Sequence, residues 1–317
     1  MEIDVKSGKK VVIRWKPPTE GNYSNFRVSV IPLSDPSENI RNTSSLEMKR
    51  TLHDLTPGAT YEVQLSTVYD NKKSQAHIST KFTTKPNIPG KFVVWYRNET
   101  SLLVLWKPPY PHGYFTDYKA SIEPKDANVS EKFLPKDDGS MFPSQVAFND
   151  LIPGRAYNIS VRTISQDQLS DPTTAQYRTM PLKPINIMIN PADISTDSFI
   201  VQWDGPDQSR EWKVSEFDAY QVAIKVRRKT HRVEKGSPRV VKFKRNILPG
   251  RTYEVIVNTI SGSVASLPVE KNVTTRPYPA RNLTMEEDKE TGELVLSWHP
   301  NQGSLQDSYK VNFNFVD

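Results

Sequence analysis

A short stretch decides the fold of this chain: Leu151-Ile152-Pro153-Gly154-Arg155-Ala156-Tyr157. Its Pro-Gly pair favours a tight turn. From Tyr157 onward apolar and polar residues alternate, which predicts a strand with one buried face. A buried tyrosine needs a partner for its hydroxyl, and the backbone of the turn is close enough to supply one. We therefore predict a corner that connects two packed sheets.

The same corner occurs three times in the 317 residues. The other copies are Leu55-Thr56-Pro57-Gly58-Ala59-Thr60-Tyr61 and Ile247-Leu248-Pro249-Gly250-Arg251-Thr252-Tyr253. Each copy comes about 50 residues after a short apolar strand that ends in tryptophan. Four such strands end at Trp15, Trp106, Trp203 and Trp298, spaced by 91, 97 and 95 residues. This period has the length of a small domain, so the chain is a tandem repeat.

The combination of strand-ending tryptophan, Pro-Gly-x-x-Tyr corner and repeat length resembles the fibronectin type III family. The resemblance implies an all-β chain of tandem seven-stranded, immunoglobulin-like β-sandwiches, and the short proline-rich linkers predict an extended rod. Proline clusters place the modules at residues 1–85, 86–180 and 181–276, with the N-terminal part of a fourth module at 277–317. We expect this last part to have a strand at 309–313 and an open core face.

Several kinds of chemistry are excluded by composition. The chain has no cysteine, which removes disulfides, thiolate catalysis and cysteine-ligated zinc. Its five histidines are scattered, with no pair at metal-ligand spacing. No apolar run approaches the roughly 20 residues of a membrane span. We therefore predict no catalytic residue, metal or cofactor, and a segment that is not an enzyme and does not itself contact a membrane.

Asparagine glycosylation motifs favour a secreted or cell-surface chain over an intracellular, muscle-type array of the same modules. Asn158 lies between Tyr157 and Ile159, which both point inward, so its side chain is predicted to point outward. A sugar there would cover part of that sheet. The seven acceptor candidates are Asn22, Asn42, Asn98, Asn128, Asn158, Asn272 and Asn282.

The positive charge of the chain is concentrated in one segment, residues 225–245, whose net charge is +9 against +6 for the whole chain. We expect Val222, Ile224 and Val226 to face the core, so that the basic side chains lie along a lateral edge of the third sandwich. One interpretation is protection of strand edges. The other is a site for an acidic partner, either a sulfated glycosaminoglycan or an acidic protein. The basic residues are Lys225, Arg227, Arg228, Lys229, Arg232, Lys235, Arg239, Lys242, Lys244 and Arg245.

No nucleic-acid-binding motif accompanies this basic segment, so we predict no nucleic-acid partner. In the same repeat, Trp212 lies in a longer stretch between two strands. We interpret it as packing onto its own domain, with partner contact as the alternative.

Repeats two and three share further sequence motifs. These are Pro-Gly-Arg-x-Tyr, then Thr-Ile-Ser at 163–165 and 259–261, and a threonine, Thr179 or Thr275, near the proline that ends each repeat. This order of motifs resembles that in the ectodomain repeats of receptor-type protein tyrosine phosphatases, most closely the type III subfamily of insects. The resemblance implies an extracellular, ligand-binding segment of a plasma-membrane receptor whose phosphatase domain lies elsewhere in the polypeptide, with an extracellular protein as ligand. The alternative is a cell-adhesion or matrix array.

Overall fold

The computed structural model describes residues 1–136, 144–207, 214–226, 230–312 and 314. Its regular structure is almost entirely β-strand. The chain divides into two compact units: unit 1 comprises Met1–Leu151 and Ala156–Tyr177, and unit 2 comprises Ile152–Arg155 and Arg178–Asp317. Antiparallel sheets recur in pairs along both units, which confirms an all-β chain of tandem sandwiches.

The first pair of sheets in unit 1 is module 1. One sheet has the order β1-β2-β5; the other has the order β4-β3-β6, with β7 and β8 both paired to β6. This is a seven-stranded sandwich whose last strand is split in two. The strands are β1 (Glu2–Val5), β2 (Val11–Arg14), β3 (Asn25–Pro32), β4 (Arg41–Ser45), β5 (Lys49–Leu52), β6 (Thr60–Tyr69), β7 (Lys72–Lys73) and β8 (Ile78–Thr83).

Module 2, the second pair of sheets in unit 1, repeats this topology. Its sheets have the orders β9-β10-β13 and β12-β11-β14, with β15 and β16 both paired to β14. The strands are β9 (Phe92–Arg97), β10 (Leu102–Trp106), β11 (Asp117–Glu123), β12 (Glu131–Pro135), β13 (Gln145–Phe148), β14 (Ala156–Ser165), β15 (Gln168–Leu169) and β16 (Thr173–Arg178).

Unit 2 contains module 3, with the sheet orders β17-β18-β21 and β20-β19-β22, and with β23 and β24 paired to β22. A 3-10 helix at Pro191–Asp193 follows the first strand. The strands are β17 (Ile185–Met188), β18 (Phe199–Asp204), β19 (Ala219–Ile224), β20 (Thr230–Glu234), β21 (Val240–Phe243), β22 (Thr252–Ser261), β23 (Val264–Ala265), β24 (Val269–Thr274), and then β25 (Arg281–Glu287) and β26 (Leu294–His299), which pair with each other.

The core of each of the three modules is built around its strand-ending tryptophan, as the sequence predicts. Each tryptophan is buried and packs edge-on against an aromatic ring from the opposite sheet. Such a pair contributes about 0.5–1.5 kcal/mol beyond the apolar area it buries. The pairs are Trp15 with Phe26 at 5.5 Å, Trp106 with Tyr118 at 5.2 Å and Trp203 with Tyr220 at 5.5 Å between ring centres.

The predicted tyrosine corner is confirmed in modules 1 and 3. The backbone N–H of Thr56 donates to the Tyr61 hydroxyl at 2.9 Å, and that of Leu248 donates to the Tyr253 hydroxyl at 2.7 Å. Burial raises the pKa of Tyr61 above its ordinary value, and the nearby Glu38 carboxylate raises it further. The hydrogen bond from Thr56 has the opposite effect on this pKa, and it is this bond that attaches the turn to the strand that follows.

The strand predicted at 309–313 is wrong over its described residues, because Tyr309 to Asn312 form no ladder with β25 or β26. Tyr309 instead packs its ring against Trp298, at 5.4 Å. Phe313 lies outside the described residues. The two-stranded sheet leaves Leu283, Met285 and other apolar side chains exposed.

In unit 1 the Pro-Gly corner of module 1 is bound by module 2. The Tyr114 N–H donates to the Pro57 carbonyl at 2.9 Å, and the buried Ser165 hydroxyl donates to the Gly58 carbonyl at 2.6 Å. Gly58 has a φ of 75°, and a side-chain carbon there would overlap the Tyr114 carbonyl. Only glycine therefore fits this corner. We call this set of contacts a joint.

The joint also fixes the linker between the two modules. Thr163 is fully buried, and its hydroxyl donates to the Asn87 carbonyl at 2.6 Å. Thr173 donates in the same way to the Pro89 carbonyl, also at 2.6 Å. The backbone of this proline-rich linker is thus hydrogen-bonded to side chains of β14 and β16.

Unit 2 repeats the joint, with the segment Ile152–Arg155 as the bound corner. The Glu216 N–H donates to the Pro153 carbonyl at 2.8 Å, and the Ser261 hydroxyl donates to the Gly154 carbonyl at 2.6 Å. The Arg155 guanidinium adds an ion pair with the Glu216 carboxylate, with Nε and Oε1 2.6 Å apart.

The hydrogen bond to the linker backbone is also repeated in unit 2, where the Thr259 hydroxyl donates to the Leu182 carbonyl at 2.5 Å. The Thr-Ile-Ser motif of repeats two and three therefore contains residues that form the joints. In module 1 the equivalent positions on β6 are Thr67 and Tyr69, which lack this pattern.

Candidate functional site

The predicted basic segment lies along one lateral edge of module 3. β20 ends one sheet and β21 ends the other, so both expose an unpaired edge. The His231 ring meets the Phe243 ring edge-on at 5.1 Å, which brings the two strands together. Of the ten basic residues, six fall on these strands or next to them, Lys225 follows β19, and Arg227, Arg228 and Lys229 lie outside the described residues. We call this surface the basic edge.

Burial along the edge follows the predicted alternation with one exception. Val222 and Ile224 are buried in the core, and so are Val241 and Phe243 on β21. Val226, predicted to face the core, is 92% exposed. The reason is that β19 ends at Ile224, so the chain has already left the sheet at Val226.

Lys225 is largely neutralised by acids that are remote in sequence. Its ammonium lies 2.7 Å from a Glu254 carboxylate oxygen and 3.2 Å from one of Glu270. The hydrogen bond to Glu254 raises the pKa of Lys225, with a further contribution from Glu270. The same contact lowers the pKa of the Glu254 carboxyl. Lys225 therefore adds little to the positive potential of the edge.

Three further basic side chains bind their own module. The Arg232 guanidinium lies 2.8 Å from a Glu234 carboxylate oxygen. The Lys235 ammonium sits over the Phe217 ring, 4.4 Å from its centre, and Arg239 donates to the Trp203 carbonyl at 3.2 Å. Lys235 and Arg239 keep their positive charge, because neither a ring nor a carbonyl neutralises it.

Lys242 and Lys244 carry the most outward charge of the described basic edge. Both are exposed, and Lys242 lies between the inward-facing Val241 and Phe243. Lys242 lies on β21, and Lys244 and Arg245 directly follow its last residue. The pKa of Asp197 is lowered, mainly by hydrogen bonding from Ser195 and to a smaller degree by Lys244. With the exposed Arg245, these lysines form a short row of cations.

The glycosylation candidates lie on both units. Asn158 is exposed on the outer face of β14, as predicted, and its amide oxygen accepts from Gln176 at 3.2 Å. Asn98 is half-buried in a turn, and the other five are exposed: Asn22, Asn42, Asn128, Asn272 and Asn282. Trp212 lies outside the described residues.

Within the described ranges, no group of three histidine, aspartate or glutamate side chains is arranged to hold a metal ion. No helix in that part of the chain is both long and apolar enough to cross a bilayer. The candidate site on the described residues is therefore electrostatic: a group of exposed cations at the edge of module 3.

Curated relatives are large modular proteins. The chain is 25% identical over 279 residues to the collagen alpha-1(XII) chain of Oryctolagus cuniculus, a match that covers 88% of this chain and 42% of the collagen. It is 25% identical over 272 residues to tenascin-R of Homo sapiens, covering 84% of this chain and 18% of the tenascin. The chain thus spans less than half the length of these relatives.

Among solved structures, a two-domain fibronectin type III segment from chicken tenascin aligns with a TM-score of 0.40 and 19% identity, over 56% of this chain and 97% of that segment. The sequence itself matches the fibronectin type III domain family at residues 1–83 and 87–176. This match covers more than half of the chain and coincides with the sandwiches of modules 1 and 2, including the tyrosine corner at Tyr61. The chain belongs to the fibronectin type III domain family.

Proposed function

We propose that this chain is a module array of an extracellular adhesion or matrix protein, and that its basic edge binds a sulfated glycosaminoglycan. The observation that carries the proposal is the exposed run of Lys242, Lys244 and Arg245, on and directly after β21. A linear polyanion can follow such a row, because its sulfates repeat along a line. Collagen and tenascin relatives support the extracellular assignment.

A receptor-phosphatase ectodomain remains a second prediction. The motifs on which this prediction rests include residues of the joints, such as Thr163 and Ser165, whose hydroxyls donate to backbone carbonyls. These motifs therefore reflect the contacts between successive modules and identify no ligand contact. The sequence of the whole parent protein would test this prediction through a span of roughly 20 apolar residues followed by a His-Cys-x-x-Gly-x-x-Arg loop.

Reversing two charges should weaken binding to heparin, which serves as the probe. We expect K242E/K244E to raise the dissociation constant of residues 1–317 by about 30-fold or more, since each surface lysine contributes about 1 kcal/mol against an anionic surface. Binding of the unaltered chain should also weaken as salt rises. Isothermal titration at two salt concentrations measures both effects.

The matched control is K72E/K73E, which makes the same charge change at two exposed lysines of β7 in module 1. We expect this variant to bind heparin within about twofold of the unaltered chain, because neither lysine belongs to the basic edge. Equal weakening by both variants would mean that net charge alone governs binding. No weakening by K242E/K244E would remove the basic edge as the site.

A further inference from the structure

Module 2 carries an exposed aromatic pair on its edge strand β9. Trp95 is 73% exposed and Tyr96 is 54% exposed, next to Val93. The pairing of β9 with β10 shifts between Leu103 and Val104, so the residue opposite Val104 is Val94 and the residue opposite Leu103 is Tyr96. Trp95 is the extra residue of this β-bulge. The bulge breaks the alternation, and two consecutive aromatic side chains are left in solvent.

The equivalent edge strands of the other two complete sandwiches are more polar. β1 carries Asp4, whose carboxylate pairs with Lys6 at 2.7 Å. β17 carries Asn186, whose amide donates to Asp204 at 3.1 Å. Charged or polar groups are a usual protection for an edge strand. The aromatic surface on β9 therefore requires another kind of cover.

A glycosylation motif lies directly beside this surface. Asn98 begins a tight turn: its N–H donates to the Ser101 carbonyl at 3.1 Å, and its amide oxygen accepts from the Thr100 N–H at 2.9 Å. The side-chain nitrogen of Asn98 points to the Tyr96 hydroxyl, 3.4 Å away, in an exposed contact. This nitrogen is the atom to which an N-linked sugar is attached.

Asn98 is the one motif of the seven with an aromatic residue two positions earlier. The Asn98 side-chain nitrogen lies beside the Tyr96 hydroxyl, so a sugar attached to it would begin next to the Tyr96 ring. The residues two positions before the other six acceptors are Glu20, Ile40, Asp126, Ala156, Glu270 and Ala280.

We propose that Tyr96 and Trp95 form a platform on which the first N-acetylglucosamine of an Asn98 glycan packs. One face of this sugar presents a row of C–H groups with partial positive charge, which complements the negative face of an aromatic ring. The sugar covers the aromatic surface and protects the β9 edge. The inference requires passage through the secretory pathway but no glycosaminoglycan binding, so a failed heparin test would leave it standing.

The test uses residues 1–317 secreted from cells that glycosylate, with each glycan trimmed to its first sugar. We expect one N-acetyl methyl proton signal to be shifted upfield by ring currents in the nuclear magnetic resonance spectrum, and to vanish in N98Q. We also expect N98Q to lower the melting temperature by about 4–8 °C. N158Q, at an exposed site without an aromatic two positions earlier, serves as the control and should leave the melting temperature unchanged.

Three results would overturn the proposal. One is mass spectrometry showing Asn98 unmodified. Another is an Asn98 sugar whose methyl signal lies at the same position as those of the other sites. The last is a thermal effect of N98Q that persists undiminished when Y96S is already present. Tyr96 is half-exposed, so Y96S is compatible with folding.

Discussion

Replacing Gly58 with alanine should open the joint of unit 1. The left-handed backbone of Gly58 costs an alanine about 1–2 kcal/mol, and overlap of its side chain with the Tyr114 carbonyl adds about 1–3 kcal/mol. A combined loss of about 2–5 kcal/mol corresponds to faster hydrogen exchange of the Tyr114 amide by about 30- to 4,000-fold. That amide is the reporter because it donates to the Pro57 carbonyl.

Gly21 provides a matched control for this substitution. It lies in module 1, has a φ of 85°, and nothing lies within 4 Å of the position of a side-chain carbon. G21A therefore carries the backbone cost of about 1 kcal/mol without the overlap, and should leave exchange at Tyr114 unchanged. If G58A and G21A had the same effect on that amide, the close approach would contribute nothing, and the proposed role of Gly58 in the joint would be wrong.

Replacing Thr163 with valine should destabilise unit 1 by about 1–3 kcal/mol, although the two side chains have nearly the same shape. Valine cannot donate to the Asn87 carbonyl, and a buried acceptor without its donor loses its full solvation. The measurement is urea-induced unfolding of the chain, followed by a probe in module 2. T259V should have the same effect in unit 2, where the bond to the Leu182 carbonyl is lost.

Thr67 is the control, because it holds the same position on the corresponding strand of module 1 and is half-exposed. We expect T67V to change stability by less than about 0.5 kcal/mol. A T163V variant as stable as T67V would show that the linker carbonyl finds another donor and that Thr163 does not hold the linker.

The sandwich cores could be predicted from sequence because their signals are local. Alternation around Trp15 and Trp106, and the Pro-Gly turn before Tyr61, involve residues only a few positions apart. The module boundaries at 1–85, 86–180, 181–276 and 277–317 remain predictions. The sequence contains one indication of the bulge at Trp95. The run from Phe92 to Tyr96 is apolar throughout and lacks the alternation of apolar and polar residues expected of a half-buried strand.

Other features that the sequence did not predict depend on residues that are distant along the chain. Counting charges between Lys225 and Arg245 gave +9, whereas Glu254, 29 residues from Lys225, pairs with that lysine in the folded module. Ser165 and its acceptor Gly58 are 107 residues apart, and so are Ser261 and Gly154. A repeated motif shows that something recurs, but only the folded chain shows that the partner belongs to the preceding repeat.

The joint also determines where this chain can be divided for expression. The segment Ile152–Arg155 precedes β14 in sequence, yet it clusters with unit 2. A recombinant piece that begins at a proline linker would therefore lack the corner that its serine binds, so Ser165 would lose its Gly58 acceptor and Ser261 its Gly154 acceptor. Each repeat of the sequence begins at a proline linker, whereas the unit that forms every hydrogen bond begins one corner earlier. A stable excised piece should therefore begin upstream of the preceding Pro-Gly.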